Sequence, residues 1–284
     1  MMKKPLILLT NDDGYDSPGL LAAAAALAEL GDLLIAAPLV QQSGMGRAWL
    51  PNASGAIYRR EVQINGGPCL VYAVDGSPAQ AVAHALLRLA PRRPELAVSG
   101  INFGQNLGTT VTSSGTVGAA MEAAISGIPS MAVSLEVDRA FFHNPTGRVD
   151  FGAAAHFTHL FAQRLLAVSS LPPDVDILKI EVPRDATPET AWEVTRQSRR
   201  RYFVSRPVKE RVFDQPFKVD YRLDPSTSEP GTDTHTLAYG RRVSVTPLSF
   251  DLTSRANLES LGQLLSDGRH YSGASPPLGL QRPC

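Results

Sequence analysis

The sequence predicts an α/β fold: a Rossmann-like, three-layer α/β/α arrangement around a mostly parallel sheet, with a C-terminal β-hairpin arm. Three observations predict it. Leu6 to Leu9 is an unbroken apolar run, the pattern of a strand buried on both faces, and it ends in Asn11-Asp12-Asp13-Gly14. Leu20 to Leu30 is a run of the strong helix formers Ala and Leu, expected to close at Gly31 as a C-cap glycine. Leu33 to Ala37 is a second buried strand, stopped by Pro38. Together they form a β-α-β unit at the head of the chain.

The elements after this unit follow in order. The polar loop Gln41 to Arg47 holds Gly44, Gly46 and Ser43, and lacks the Gly-Lys-Ser/Thr ending of a Walker loop. Residues 51–75 carry short β-branched and aromatic runs, broken at Asn65-Gly66-Gly67-Pro68, and read as antiparallel strands. Ser77 and Pro78 are expected to cap and open a helix that ends at Leu89. Leu96 to Val98 is a short buried strand, followed by the Gly- and Asn-rich stretch Gly100 to Gly108. Ser113-Ser114-Gly115-Thr116 leads into a helix from about Val117 to Ser126, and Ile128 to Ser134 is a further strand.

The second half is less regular. Asp150 to Ala167 reads as a helix, with His156 and His159 in packing or surface roles. Val175 to Pro183 reads as a strand whose closing alternation, Lys179-Ile180-Glu181-Val182, suggests one solvated face. Residues 184–240 look like an extended arm of hairpins, and Val243 to Leu248 is a final strand. The tail from Ser266 is expected to be disordered. The expected division is a core of residues 1–185, an arm with the final strand over 186–253, and a C-terminal helix with its tail over 254–284.

Composition excludes some classes of function. The 284 residues are 43% apolar with a net charge of zero, so no basic field suits a nucleic-acid polymer or an anionic membrane. The basic N-terminus is followed by too short an apolar run for a signal peptide, and no segment reads as a membrane span. The two cysteines, Cys69 and Cys284, make no disulfide framework or zinc motif and fit a reducing cytoplasm.

The candidate chemistry lies where strands end, because ligands of open α/β sheets bind outside the carboxyl ends of their strands. Asp12 and Asp13 are adjacent acids at such an end. They repel one another, and a hard cation such as Mg²⁺ or Mn²⁺ is the usual remedy. Ser43 follows a neighbouring strand and could reach that cation. The asparagines Asn102 and Asn106 can offer a neutral carbonyl to a metal or an amide donor to a phosphate. Ser114, Gly115 and Thr116 precede a helix, where an anion nest can form.

Several stretches together resemble the survival protein SurE family of metal-dependent nucleoside monophosphate phosphatases. They are Thr10-Asn11-Asp12-Asp13-Gly14, Ser43 in its loop, Gly76-Ser77-Pro78-Ala79, Ser99-Gly100-Ile101-Asn102, Asn106-Leu107-Gly108 and Ser114-Gly115-Thr116-Val117. Thr195-Arg196-Gln197-Ser198 and Val243 to Leu248 extend the resemblance to nearly the whole chain. It implies that Asp12, Asp13, Ser43 and Asn102 bind one divalent cation per subunit, Mg²⁺ or Mn²⁺. It implies that Asn106, Ser114, Gly115 and Thr116 hold the phosphate of a nucleoside 5′- or 3′-monophosphate. It also implies self-association to a homodimer or tetramer through C-terminal segments. The sequence departs from the family pattern at Lys179 and Glu181, where an Asn pair is usual, at Thr109 and Thr110, and at Arg241 and Arg242.

Phosphate-monoester hydrolysis is thus the expected reaction, of the 5′-nucleotidase type, with Asp12, Asp13 and Asn106 catalytic. Asp13 is expected to orient or deprotonate the attacking water, and Asp12 to act mainly as ligand. His235 becomes a candidate general acid if the arm folds over the site. The alternatives are an aspartyl-phosphate phosphatase using Asp12, a receiver-type signalling module, and a nucleotide-binding protein without turnover. The first wants Asp-x-Asp rather than adjacent acids. The second needs an acceptor Asp after the third strand, where this chain has Asn102.

Overall fold

The computed structural model describes residues 3–138, 149–206, 213–214 and 220–267. Residues 1–250 fall in one compact unit, and a second unit begins at Asp251. The first is built on a nine-stranded sheet of order β3-β4-β2-β1-β5-β6-β7-β11-β8. Its parallel centre is β4 (Gly67–Val74), β2 (Asp32–Pro38), β1 (Leu6–Thr10), β5 (Leu96–Phe103), β6 (Ser130–Leu135) and β7 (Ile177–Val182). β3 (Ile57–Ile64) turns back on β4 through Asn65-Gly66, both with positive φ, the backbone a two-residue hairpin loop needs. β11 (Val243–Leu248) closes antiparallel on β7, and β8 (Trp192–Val194) lies parallel to β11 at the edge.

Every residue of β1 is buried, because alternate side chains serve opposite layers. Ile7 and Leu9 join the cluster under α1 (Pro18–Leu27) and α4 (Gly152–Ala167), which contains Leu20, Phe157 and Phe161. Leu6 and Leu8 join the cluster under α2 (Pro78–His84) and α3 (Gly115–Ile125), which contains Val82 and Ala119. Each large apolar side chain so buried contributes roughly 1.5–3 kcal/mol. The three layers follow, with α1 packed on α4 and α2 packed on α3.

The helix starts behave as their residue types dictate. Ser17 caps α1 by accepting from the N–H of Leu20, with Pro18 in the first turn. Ser77 and Gln80 form a capping box on α2, which continues as a π-helical turn to Leu89. The end of α1 is a correction. The helix stops at Leu27, and Gly31 has no left-handed φ, so it is not the expected C-cap. Glycine is needed there because a Cβ would stand 2.3 Å from the carbonyl oxygen of Pro5.

Two further expectations are overturned. β7 has no solvated face: Lys179 and Glu181 are fully buried, because the loop at Asn106 and Asp233 pack over that face. The segment after residue 184 is only in part an arm. β8 joins the main sheet, and Thr195, Ser198, Thr232, Asp233, Thr234 and Thr236 are all buried. A separate two-stranded hairpin remains, β9 (Phe203–Ser205) with β10 (Tyr221–Leu223). Phe217, within the span expected as an arm, and the tail beyond residue 267 lie outside the described residues. His156 packs edge-on against Phe157, and His159 Nδ1 meets the carbonyl of Ala26 at 2.8 Å, so both serve packing. A short turn of helix, α5 (Asp233–His235), precedes β11.

The second unit, of which residues 251–267 are described, holds α6 (Leu258–Asp267), with Leu258, Leu261 and Leu265 exposed. Among the described residues no helix is long and apolar enough to cross a membrane.

Candidate active site

The loops after β1, β2 and β5 converge with the start of α3 at the carboxyl edge of the sheet. Asp12, Ser43, Asn102, Asn106 and Ser114 line one cleft there, of about 680 Å³. Asp13, Gly115 and Thr116 stand next to it without forming its wall.

The loop following β1 is fixed from inside. Asn11, fully buried, donates to the carbonyl of Gly14 and to Ser17 Oγ, and accepts the N–H of Gly14. This locks the turn and sends Asp12 and Asp13 to either side of it. Asp12, 3% exposed, accepts from Thr116 Oγ1 at 2.7 Å. Asp13 accepts the N–H of Phe103 at 2.9 Å and Gln41 Nε2 at 3.3 Å. Gln41 Nε2 is also 3.1 Å from Ser43 Oγ, so one amide ties the acidic turn to the glycine-rich loop. The N–H of Gln42 donates to the carbonyl of Asp12 at 2.7 Å and docks the same loop.

Electrostatics oppose ionisation of the acidic pair. Burial, and then the neighbouring Asp13 carboxylate, push Asp12 up to about 7, against the hydrogen bonds from Thr116. Burial also raises Asp13, against the Phe103 N–H and Gln41. Among the described residues no Lys, Arg or His pairs with either acid, and no group of three or more His, Cys, Asp or Glu could hold a metal. A bound divalent cation would reverse both shifts. The available donors suit a hard cation: two carboxylates, the Ser43 hydroxyl, and the Asn102 carbonyl. Asn102 Nδ2 is spent on the carbonyl of Gly104 at 2.6 Å, which leaves Oδ1 as the free acceptor. A register shift between Ser99 and Asn102, where β5 departs from β6, sets that side chain's direction.

The anion-binding candidates Asn106 and Ser114 line the same cleft. Ser114 caps α3 by accepting from the N–H of Val117. Asn106 Nδ2 donates to Ser134 Oγ at 3.0 Å. The Thr116 hydroxyl is engaged by Asp12, so it serves the acid and is not open to a ligand. His235 does not line the cleft; its ring lies 5.4 Å from that of Tyr239, because α5 packs beside the sheet.

Sequence reasoning missed four kinds of participant. Gln41 bridges Asp13 and Ser43. Phe203 and Tyr221, from the hairpin, line the cleft with ring centroids 5.5 Å apart. Lys179 and Glu181 hold the main chain of Asn106. Asp233 accepts from the N–H of Gly108 in the same loop. The clue available for Lys179 and Glu181 was their i, i+2 spacing on a strand, which puts both on one face.

A family model described as "Survival protein SurE" matches residues 7–204. The chain is 43% identical over 272 residues to 5′-nucleotidase SurE of Thermococcus gammatolerans, covering 93% of this chain and 99% of that one. It is 41% identical over 261 residues to 5′-nucleotidase SurE of Thermococcus kodakarensis, covering 91% and 98%. Among solved structures, the SurE protein from Aquifex aeolicus superposes with a TM-score of 0.73 at 33% identity, covering 93% of this chain and all of that one.

Proposed function

This chain belongs to the survival protein SurE family, and from that premise we propose that its strand-end cleft hydrolyses nucleoside 5′- and 3′-monophosphates to nucleoside and phosphate with a divalent cation. The enzyme is a 5′-nucleotidase, a phosphoric monoester hydrolase. The observation that carries the reading is the acidic pair, with no protein counter-charge among the described residues, set at one cleft with Asn106 and beside the start of α3. The cleft's volume of about 680 Å³ is also within the usual range for a small ligand.

Asp12, Asp13, Ser43 and Asn102 would hold one cation, Mg²⁺ or Mn²⁺. When bound, it supplies Lewis acidity toward the phosphoryl group and makes water easier to deprotonate. The two carboxylates orient the attacking water and take its proton, with Asp12 the one that faces the cleft. Asn106, Ser114 and the main-chain N–H of Gly115 meet the charge on the phosphoryl oxygens, where a fixed donor gains most in the transition state, while Thr116 is held by Asp12. The new bond joins water oxygen to phosphorus, the bond from phosphorus to the ester oxygen breaks, and the departing nucleoside oxygen takes up a proton from solvent. Phe203 and Tyr221 give the cleft an aromatic wall on which a nucleoside can rest.

The test is phosphate release from nucleoside 5′- and 3′-monophosphates with Mn²⁺ or Mg²⁺, with and without chelator. Asp12→Asn and Asp13→Asn are each expected to lose nearly all turnover while remaining folded by circular dichroism. Either variant keeping normal turnover and normal metal affinity would sink the assignment. We further place the enzyme in the cytoplasm, in keeping with the free thiol of Cys69, and propose a homodimer or tetramer. Support for association comes from the exposed Val194 on the edge strand β8, the exposed Phe213, and the leucines of α6. Light scattering checks it: a solution mass near 30.4 kDa would defeat the oligomer.

A further inference from the structure

Strand β7 carries two ionisable side chains into the interior. Lys179 and Glu181 are fully buried, and Asp233, buried as completely, joins them. Lys179 Nζ lies 3.0 Å from Asp233 Oδ2 and 3.7 Å from Glu181 Oε1. Such a cluster is a poor route to stability, since apolar side chains of similar size generally stabilise a fold at least as well. Three of its hydrogen bonds converge on one loop, while Asp233 Oδ1 is itself held by the N–H groups of Ser198 and Thr234. Glu181 Oε2 accepts the main-chain N–H of Asn106 at 2.9 Å, and Lys179 Nζ donates to the main-chain carbonyl of Asn106 at 2.9 Å. Asp233 Oδ2 accepts the N–H of Gly108 at 3.0 Å, two residues further on. Both main-chain polar groups of Asn106 are thus held by neighbouring side chains of a single strand. None of the three acts on a ligand directly, because none lines the cleft.

We propose that Lys179 and Glu181, braced by Asp233, are positioning residues of the nucleotidase reaction: they fix the main chain of Asn106 so that its side-chain amide, one N–H of which donates to Ser134 Oγ, has its second N–H aimed at the phosphoryl group. The inference rests on the phosphate-binding role proposed above for Asn106. A residue acting through another in this way should change the rate of the chemical step and leave substrate binding nearly alone. A donor that meets developing charge is sensitive to its placement, and a shift of about 1 Å can cost on the order of a hundredfold.

The test is a double-mutant cycle on the metal-saturated full chain with adenosine 5′-monophosphate. Glu181→Leu removes the acceptor, Lys179→Met removes the donor, and Glu181→Gln keeps an acceptor oxygen without the charge. Glu181→Leu and Lys179→Met are each expected to lower kcat about 10- to 100-fold, with KM changed by less than about threefold. Glu181→Gln should stay within about threefold of wild type, since the acceptor is kept. In an Asn106→Ala background the Leu and Met changes should cost nothing more. Unchanged kcat in Glu181→Leu and Lys179→Met, or full additivity with Asn106→Ala, overturns the proposal. Normal kcat in Asn106→Ala alone would instead fault the role of Asn106, and absence of wild-type turnover would fault the function itself. If a single variant fails to fold, Lys179→Met combined with Asp233→Asn removes the same donor without stranding the Asp233 charge. Additivity of that pair with Asn106→Ala overturns the proposal equally.

Discussion

Thr116 Oγ1 donates to Asp12 Oδ1 at 2.7 Å, and this bond ties the end of β1 to the first turn of α3. It joins the two halves of the proposed site, the acids on one side and the helix start on the other. It also favours the charged form of an acid that burial disfavours. Thr116→Val keeps the shape and removes the donor. A hydrogen bond to a buried charge contributes about 1.5–3 kcal/mol, so Mn²⁺ affinity at pH 7 should fall about tenfold or more. Isothermal titration calorimetry measures it, and an unchanged affinity would show that Thr116 only packs.

Metal binding should carry a proton dependence of definite sign. Asp12 sits at about 7 without metal and Asp13 is also raised, yet a carboxylate ligand must be ionised. Below about pH 7, binding therefore displaces at least one proton, and affinity should weaken about tenfold for each pH unit lost. Above that value the dependence should flatten. Calorimetry in buffers of different ionisation enthalpy reads the proton release directly. A Mn²⁺ affinity constant from pH 5 to 7 would count against Asp12 as a ligand.

Gly115 is held to glycine by Asp12. A Cβ at residue 115 would lie 2.8 Å from both Cβ and Oδ2 of Asp12. Gly115→Ala also favours the helix by up to about 1 kcal/mol, since alanine is the better helix former. The melting temperature should hold steady, while the displaced carboxylate costs metal affinity, on the order of tenfold. A variant that loses stability and metal affinity together would mean that α3 itself has moved.

Much of this arrangement was legible in the sequence, and the part that was not has a common cause. The run Leu6 to Leu9 reads as a doubly covered strand. Once it was placed, the carboxyl-edge position of Asp12, Asp13, Ser43 and Asn102 followed from the topology of a parallel sheet. Lys179-Ile180-Glu181-Val182 was misread because alternation looks the same whether the polar face meets water or a buried counter-charge. The residue that decides between them, Asp233, lies 54 positions away. Phe203 and Tyr221 line the cleft from a hairpin far along the chain, and Gln41 meets Asp13 across 28 positions. Gly31 was misread because a close approach by Pro5 and a left-handed cap both call for glycine.

The buried triad also predicts how stability varies with pH. Burial, only partly offset by Lys179 and by the N–H of Asn106, raises Glu181 from its ordinary 4.5 to about 7. Between those two values the folded state keeps a proton on Glu181 that the unfolded state has lost. Stability must then fall as pH rises through this window and level off above it. The full span is worth on the order of 3 kcal/mol. Asp12, also raised to about 7, acts in the same direction in metal-free protein, so the wild-type profile alone cannot isolate Glu181. Glu181→Gln isolates it, because the amide occupies the same place and does not titrate. With metal removed, Glu181→Gln should gain on wild type as pH rises from 5 to 8. The difference in melting temperature should grow by about 5 °C or more, given about 2–4 °C per kcal/mol for a chain of roughly this size. Differential scanning calorimetry at several pH values measures it. A difference that stays constant across the window would mean that Glu181 is already ionised at pH 5 and that Lys179 holds it as a true ion pair.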